Sequence, residues 1–268
     1  MIDLGKKNIL GVLINAIDYD ATVTTVITMA RERRPLSVSA LAVHGVMTGA
    51  LDPIHCYRLN HIDLVVPDGQ AVRWALNLLH RARLSDRVYG PTLTLKICEQ
   101  AAAHGLPIYF YGSRPEVLAA LTERLRARYP KLTIAGTQPS RFRQLSDQEL
   151  SEVTAQIRAS GAMIVFVGLG CPRQEIWAYE NRDRLGMPVI AVGAAFDFHA
   201  GLLPQAPPQI QRLGLEWAFR LIQEPRRLWR RYLLLNPLYV GMLLLQATGI
   251  RRFELSSDQA PIQQQRYG

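Results

Sequence analysis

The sequence predicts an α/β protein with a Rossmann-like, mostly parallel sheet, flanking helices and a C-terminal helical appendage. Two observations lead to this fold class. Short apolar stretches recur along the chain, and amphipathic patterns with the helical period lie between them. Strands that alternate with helices imply βαβ units with right-handed crossovers. Polar residues that follow the strands are therefore candidate site residues, because ligands of such sheets bind at the carboxyl ends of the strands.

Four apolar stretches are predicted to form strands. Each is short and bounded by Gly, Pro or charged residues. Runs of this kind are typical of parallel strands that are buried on both faces. In chain order they are SVSALAVHGVM at 37–47, LPIYFYG at 106–112, AMIVFVGLG at 162–170 and PVIAVGAAFDF at 188–198.

Five amphipathic segments are predicted to form helices around these strands. In chain order they are 21–34, 69–83, 92–105, 115–130 and 146–161. The last opens with Ser146 and Glu149, which have the spacing of a capping box.

The length of 268 residues suits one large domain with an appendage. We expect an α/β core over 1–210, a basic amphipathic appendage over 211–252 and a disordered polar tail over 253–268. The apolar run at the N-terminus alternates with polar residues and lacks a small-residue cleavage site, so no signal peptide is predicted.

A formal net charge of +9 indicates an anionic partner: nucleic acid, phospholipid headgroups or a phosphorylated substrate. The three cysteines, Cys56, Cys98 and Cys171, lie far apart and lack the spacing of a zinc site or a disulfide framework. We therefore expect a reducing cytoplasm, no metal and no cofactor.

Two titratable residues follow predicted strands. Asp68 comes after an apolar stretch in VVPDGQAV, where it could be a general base, a metal ligand or a helix N-cap. His44 ends another strand in VHGVMTG, where an imidazole could contact a phosphate, take a proton or be purely structural.

Three further loops carry candidate binding residues. In RVYGPTL, Arg87 precedes a turn at Gly90 that leads into a helix, so a guanidinium and backbone amides could meet an anion. In FVGLGCPRQEIW, a Gly-rich turn opens a helix in a layout similar to nucleotide-phosphate cradles, although it is neither G-x-G-x-x-G nor a Walker loop. In VGAAFDFHAG, Asp197 either faces a ligand or satisfies loop amides.

The motifs PDG, RVYGPTL, YGS, GLGCPRQE, VGAAFDFHAG and GLEW with EPRRLWRRY occur in this order and resemble the WecG/TagA/CpsF glycosyltransferases over residues from about 8 to 245. The resemblance implies an inverting, metal-independent enzyme on the cytoplasmic face of a bacterial inner membrane. Such an enzyme moves N-acetylmannosamine or a related sugar from a UDP-sugar donor to an undecaprenyl-diphosphate-linked acceptor. The implied products are teichoic acid linkers, enterobacterial common antigen or exopolysaccharides.

The resemblance also implies roles for individual residues. Asp68 matches the proposed base, and His44 joins it as a catalytic candidate. The implied substrate-binding set is Arg87, Gly90, Thr92, Gly112, Gly168, Gly170, Arg173, Gln174, Glu175 and Asp197. Two positions depart from the family pattern: His44 stands where many members have the Asn of T-x-N, and Thr92 where many have Asp. The identity of the donor hexose is therefore left open.

The C-terminal segment combines arginines with apolar and aromatic residues. Its basic residues are Arg220, Arg226, Arg227, Arg230 and Arg231. The stretch 232–250 has no charge, but Asn236 and Pro237 interrupt it near its start. Three placements remain open: a membrane span, association at headgroup level and burial in a homo-oligomer interface. We expect the second, on an anionic membrane, and the resemblance adds that the arginines contact the donor diphosphate.

Two other functions compete with this one. A basic chain with Arg-Trp clusters could bind nucleic acid, but here the aromatic residues accompany long aliphatic runs, so we expect no nucleic acid partner. A non-catalytic membrane scaffold would keep the fold without the chemistry. The presence of Asp68 and the GLGCPRQE turn argues against it.

Overall fold

The structure is a computed structural model that describes residues 1–255, 260–261 and 264–268. The strands of the described part are β1 Asp3–Ile9, β2 Val12–Ile17, β3 Leu36–Leu41, β4 Leu64–Pro67, β5 Ile108–Gly112, β6 Ile134–Gln138, β7 Ile164–Gly168 and β8 Pro188–Ala191. Its helices are α1 Tyr19–Arg31, α2 Val43–Leu51, α3 Pro53–Asn60, α4 Gln70–His80, α5 Gly90–His104, α6 Pro115–Arg128, α7 Asp147–Ala159, α8 Arg173–Leu185, α9 Ala195–Ala200, α10 Pro208–Arg212, α11 Glu216–Gln223, α12 Pro225–Leu233 and α13 Leu235–Ala247.

Strands β3 to β8 form one six-stranded sheet in the order β4-β3-β8-β7-β5-β6. Every pairing in this sheet is parallel, so all six strands end at the same edge. Helices flank the sheet, and the α/β class predicted from the sequence is confirmed. The common edge is where ligands of such folds bind.

Two of the predicted strands are shorter than their apolar stretches. The strand expected over 37–47 ends at Leu41, and helix α2 starts at Val43. The strand expected over 188–198 ends at Ala191, and helix α9 starts at Ala195. A continuous apolar run does not distinguish a buried strand from a buried helix, so the sequence conceals both boundaries. As a result His44 lies in the first turn of a helix rather than at a strand end.

The five predicted helices are present, with ends that differ by a few residues. The capping box at α7 is also confirmed. The Ser146 hydroxyl accepts a hydrogen bond from the Glu149 amide at 3.2 Å, and the Glu149 carboxylate accepts one from the Ser146 amide at 2.9 Å. Reciprocal bonds of this kind satisfy two amides that the first turn leaves without partners.

Strands β1 and β2 form an antiparallel hairpin that the sequence analysis did not predict. Leu10 and Gly11 make its turn with φ of 55° and 87°, a left-handed conformation that glycine adopts without strain. The apolar residues of the hairpin, such as Ile9, Val12 and Ile14, are fully buried in one core cluster with residues of α2 and α4. The alternation noted at the N-terminus is therefore the signal of this hairpin.

The sheet has a hydrophobic core on each side. On one side, Phe110 of β5, Phe166 of β7 and Phe196 of α9 are fully buried. The centroid of the Phe110 ring lies 5.3 Å from that of Phe166 and 5.3 Å from that of Phe196. On the other, the rings of Tyr111 and Trp177 stack at 4.6 Å. Truncating one of these aromatic rings to alanine typically costs about 3–5 kcal/mol of unfolding free energy. The two cores therefore stabilise the strands whose ends form the carboxyl edge of the sheet.

The C-terminal segment folds as four short helices. The break expected at Glu224 and Pro225 is present, because α11 ends at Gln223 and α12 starts at Pro225. Pro237 lies in the first turn of α13, where its missing amide removes no helical hydrogen bond. Tyr239 is buried against the core, and its hydroxyl donates to the Ala71 carbonyl at 3.2 Å. No helix in the described ranges has the length and apolar character needed to cross a bilayer.

The expected disordered tail, 253–268, falls partly on residues 256–259 and 262–263, which lie outside the described residues. The described end of the tail makes specific contacts. Tyr267 forms an antiparallel bridge with Gln144, and the Gly268 amide donates to the Arg143 carbonyl at 3.0 Å. Arg266 pairs with Asp147 at 2.7 Å, so in this part the structure differs from the expectation of disorder.

Candidate active site

A large cavity of about 1620 Å³ opens at the carboxyl edge of the sheet. The loops after β3, β4, β7 and β8 form one wall, and helices α11, α12 and the start of α13 form the other. The cavity therefore lies between the α/β core and the C-terminal segment. Most of the residues with predicted roles line it or support its walls.

Asp68 lies in the core wall, directly after β4. Its carboxylate accepts a hydrogen bond of 2.6 Å from the amide of Gly90, the first residue of α5. Its backbone amide donates to the Leu41 carbonyl at 3.1 Å, which ties the loop to β3. The N-cap of the helix that follows Asp68 is Gly69, with no side-chain cap. The carboxylate thus meets the N-terminus of a different helix and faces the cavity.

The surroundings of Asp68 raise its pKa to about 6. Burial is the largest cause, because it disfavours the charged form. The charge of Arg87 and the Gly90 amide act in the opposite direction, while Glu216 raises the pKa further. A carboxylate with a pKa near 6 is ionised at neutral pH and is a better proton acceptor than an ordinary aspartate.

Arg87 lines the cavity but already has an anionic partner. Its guanidinium donates to the Glu216 carboxylate at 2.7 Å and to the Gln211 amide oxygen at 3.0 Å. It also lies over the Tyr89 ring, 4.0 Å from the centroid. Glu216 and Tyr89 carry no role in the sequence analysis, because nothing local to either residue reveals the pairing.

The Gly-rich turn after β7 is held by two neighbouring side chains of α8. The Gln174 amide oxygen accepts from the Gly170 amide at 3.2 Å, and its NH2 group donates to Glu175 at 2.8 Å. The Glu175 carboxyl is fully buried and also accepts from the Ser39 hydroxyl at 3.3 Å. Burial raises the pKa of the Glu175 carboxyl, because it disfavours the charged form. These bonds connect β3 to the turn through α8.

Glycines at this turn permit close packing. A Cβ on Gly168 would lie 2.6 Å from the Phe196 ring, and one on Gly112 would lie 2.9 Å from the Gly168 backbone. Gly112 does not line the cavity, but it packs closely against the backbone of the turn at Gly168. Its contribution in this structure is to packing.

His44 lines the cavity beside Arg231. Burial lowers its pKa to about 4, and the positive charge of Arg231 adds to this effect. The imidazole is therefore neutral at pH 7 and is a weaker base than Asp68. Its Nδ1 is buried without a hydrogen-bond partner among the described residues.

Four of the five C-terminal arginines face the cavity: Arg220, Arg227, Arg230 and Arg231. Arg220 lies over the Phe198 ring at 5.6 Å, and Arg227 pairs with Glu224 at 2.6 Å. Burial is the main influence lowering the pKa of Arg231, whose Nε lacks a hydrogen-bond partner in the described part of the chain. A buried guanidinium without a carboxylate is a natural contact for an anion. Arg226 is exposed and does not line the cavity.

The structure places three other candidates as follows. Arg173 is exposed outside the cavity, with its guanidinium 5.6 Å from the Tyr267 ring. Thr92 is also exposed outside it, and its side chain hydrogen-bonds Tyr19. Asp197 lines the cavity, and burial raises its pKa. Among residues 1–255, 260–261 and 264–268, no group of three or more His, Cys, Asp or Glu side chains has a metal-binding arrangement.

A parallel α/β sheet with Asp68 and several arginines around a cleft at its carboxyl edge is the arrangement of an enzyme that handles anionic substrates. Residues 7–252, nearly the whole chain, match the model of the family described as glycosyl transferase WecG/TagA/CpsF. The chain belongs to this family of glycosyltransferases, which act in cell-surface polysaccharide synthesis.

Proposed function

We propose that this protein is an inverting hexosyltransferase that moves a sugar from a UDP-sugar to an undecaprenyl-diphosphate-linked sugar at the cytoplasmic face of a bacterial inner membrane. The observation that carries the proposal is the position of Asp68. Its carboxylate faces the cavity at the carboxyl edge of the sheet, opposite a wall of arginines. Family membership supports the transferase class, and the site supports the chemistry.

The reaction requires one base and a stabilised leaving group. Asp68 accepts the proton of the acceptor hydroxyl, whose oxygen forms a bond to the anomeric carbon of the donor. The bond from that carbon to the diphosphate oxygen breaks, and its electron pair leaves with UDP. Direct displacement inverts the anomeric carbon. General base catalysis of this kind contributes about 10²–10⁴-fold to a rate.

The leaving UDP carries negative charge, and the cavity offers positive partners for it. Arg220 and Arg231 lie in the wall opposite Asp68. Arg173 does not line the cavity, so it has no part in the proposed mechanism. Because arginines supply the positive charge, the mechanism needs no divalent cation.

The donor sugar is a hexose of the N-acetylmannosamine type or a relative of it. His44 is a neutral side chain in the wall of the cavity, and its Nδ1 has no hydrogen-bond partner in the described part of the chain. A neutral imidazole offers one donor and one acceptor to a sugar hydroxyl or amide. We therefore assign His44 to sugar recognition rather than to proton transfer.

The outer surface of α12 and α13 favours peripheral contact with an anionic membrane. Its exposed apolar residues outside the cavity lining are Trp229, Leu238, Leu244 and Leu245. Arg226 is exposed on the same helix as Trp229, and an arginine near an anionic surface contributes about 1 kcal/mol. Flotation with vesicles of neutral and of anionic lipids tests this contact. Equal binding to both, or a dimer that covers the surface in solution, would contradict it.

The central experiment is a donor screen with purified protein, a panel of UDP-sugars and a lipid-diphosphate-linked GlcNAc or glucose acceptor, each with and without EDTA. We expect transfer from one donor that survives EDTA and falls about 10²–10⁴-fold in Asp68→Asn. No transfer from any UDP-sugar by a folded protein supplied with lipid acceptor would reject the mechanism. A membrane-bound scaffold for another transferase would then be the better explanation.

A further inference from the structure

Glu216 connects the C-terminal segment to the loop that follows α4. It is the first residue of α11, and its side chain is largely buried. One carboxylate oxygen accepts from the Arg87 guanidinium at 2.7 Å, and the other accepts from the Tyr89 hydroxyl at 2.8 Å. Both oxygens are thus held by side chains of the α/β core. Charge-assisted bonds of this length are stronger than neutral ones.

The other contacts of α11 are less directional. None of its residues is fully buried, although Trp217, Phe219 and Leu221 are half-buried. Leu215, just before the helix, and Ile222, in its last turn, are exposed. One backbone contact lies just before the helix, where Gly214 sits against the Trp74 ring. Because apolar contacts have no fixed direction, the charge-assisted bonds of Glu216 are the main directional attachment of the helix.

The attachment determines where the arginines lie. Arg220 is one helical turn after Glu216 and faces the cavity from the same helix. The Trp217 ring packs on Tyr232 of α12 at 6.1 Å between centroids, so α11 also orients the helix that carries Arg231. Release of Glu216 would therefore move Arg220 relative to Asp68 and loosen the contact between α11 and α12.

We propose that Glu216 is a positioning residue that latches α11 to Arg87 and Tyr89, so that Arg220 faces Asp68 only while this contact is made. The proposal rests on the proposed function for its effect on transfer. The latch itself requires only the geometry of Glu216, Arg87 and Tyr89. Arg87 has further N–H groups, so it can hold Glu216 and still contact a diphosphate.

The first test is hydrogen–deuterium exchange of the full chain without ligand, followed in peptides that cover residues 214–234. Glu216→Gln keeps the size of the side chain and removes its charge, and Tyr89→Phe removes one hydrogen bond. We expect exchange in these peptides to rise by roughly tenfold or more in Glu216→Gln and by less in Tyr89→Phe. Glu123→Gln, at an exposed position on α6 outside the cavity, is the matched control and should leave exchange unchanged.

The second test separates positioning from general destabilisation. If the latch holds the arginines that bind the donor diphosphate, Glu216→Gln raises the donor KM by about tenfold, and the loss appears mainly there. A variant that is merely less folded would lower kcat through its active fraction and leave KM unchanged. That second outcome would overturn the proposal.

The two proposals fail in different ways. Exchange in the 214–234 peptides could rise in Glu216→Gln while the wild-type protein transfers no sugar. This result would reject the proposed function but would support the latch. Active wild-type protein with unchanged exchange and unchanged KM in Glu216→Gln would reject the latch alone. Addition of UDP supplies a further control: faster exchange of these peptides in the wild type would mean that the nucleotide displaces Glu216 from Arg87, which also rejects the latch.

Discussion

The amide of Gly90 donates a hydrogen bond of 2.6 Å to the carboxylate of Asp68. A helix N-terminus carries a partial positive charge, so this bond stabilises the ionised carboxylate that burial disfavours. The two effects, with the charges of Arg87, Glu216 and Arg220, bring the pKa of Asp68 to about 6. The proposed base is therefore adjusted by its neighbours to work near neutral pH.

The pH dependence of transfer should follow the ionisation of the Asp68 carboxyl. Since only the ionised carboxylate accepts a proton, kcat/KM is expected to rise with pH and to level off above the pKa of about 6. Asp68→Asn should lower the rate about 10²–10⁴-fold and remove this acidic limb. Initial rates from pH 5 to 8 in a constant-ionic-strength buffer measure both. An unchanged limb in the residual activity of the variant would assign it to another group.

The stability of the fold should also depend on the ionisation of Asp68, but it should fall rather than rise with pH. The pKa of Asp68 is higher in the folded protein than its ordinary value near 3.9, so the protonated form stabilises the fold. This contribution is complete below about pH 4 and is lost as the pH rises through about 6. Asp68→Asn should therefore have a higher Tm than the wild type at pH 8 and a similar one at pH 4. A lower Tm at pH 8 would show that the charged carboxylate is net stabilising.

The space around Gly90 is tight for a side chain. A Cβ there would lie 3.2 Å from the Val192 carbonyl oxygen and 3.4 Å from the Asp68 carboxylate. We expect Gly90→Ala to displace the carboxylate and to lower kcat by about tenfold to a hundredfold, as small misplacements of catalytic groups do. Gly241→Ala, on α13 with no neighbour near the added methyl, is the control. Equal activities of the two variants would show that the position of Asp68 tolerates the change.

Arg226 and Arg231 offer a matched comparison on one helix. Arg231 lines the cavity without a hydrogen-bond partner for its Nε among the described residues, whereas Arg226 is exposed outside it. Arg231→Ala should lower kcat/KM by about 10²-fold, and Arg226→Ala should change it less than threefold. Vesicle binding should instead weaken more in Arg226→Ala, by about 1 kcal/mol. The reverse pattern would move the anion site from the cavity to the membrane surface.

Glu175 tests whether a neutral carboxyl holds the Gly-rich turn. Burial raises the pKa of Glu175, so glutamine is a close substitute for its protonated form. Glu175→Gln should retain transfer within about threefold, because it still accepts from Gln174 and Ser39. Glu175→Ala leaves buried partners unsatisfied and should cost about 1–3 kcal/mol of unfolding free energy together with most of the activity. Equal loss in both variants would mean that the charge of Glu175 is needed.

The sequence predicted the parallel sheet, the capped helix α7 and the place of Asp68 at a strand end, because each depends on a local pattern. It did not predict that Arg173 faces solvent while its neighbours Gln174 and Glu175 are buried, since the direction of a first helical residue depends on how the helix packs. The contact of Arg87 with Glu216 joins residues far apart in the chain. Local motifs contain no information about such pairings: the sequence suggested an anion site at Arg87 and assigned no role to Glu216.

The contacts among Gly112, Gly168 and Phe196 have an evolutionary consequence. A methyl group at either glycine would collide with its neighbour in this group, so neither position can acquire a side chain while the other two stay as they are. The three residues come from β5, β7 and α9, and their codons are far apart. Homologous chains should therefore vary at these positions jointly or not at all, and a homologue with alanine at one glycine should carry a smaller or displaced residue opposite it.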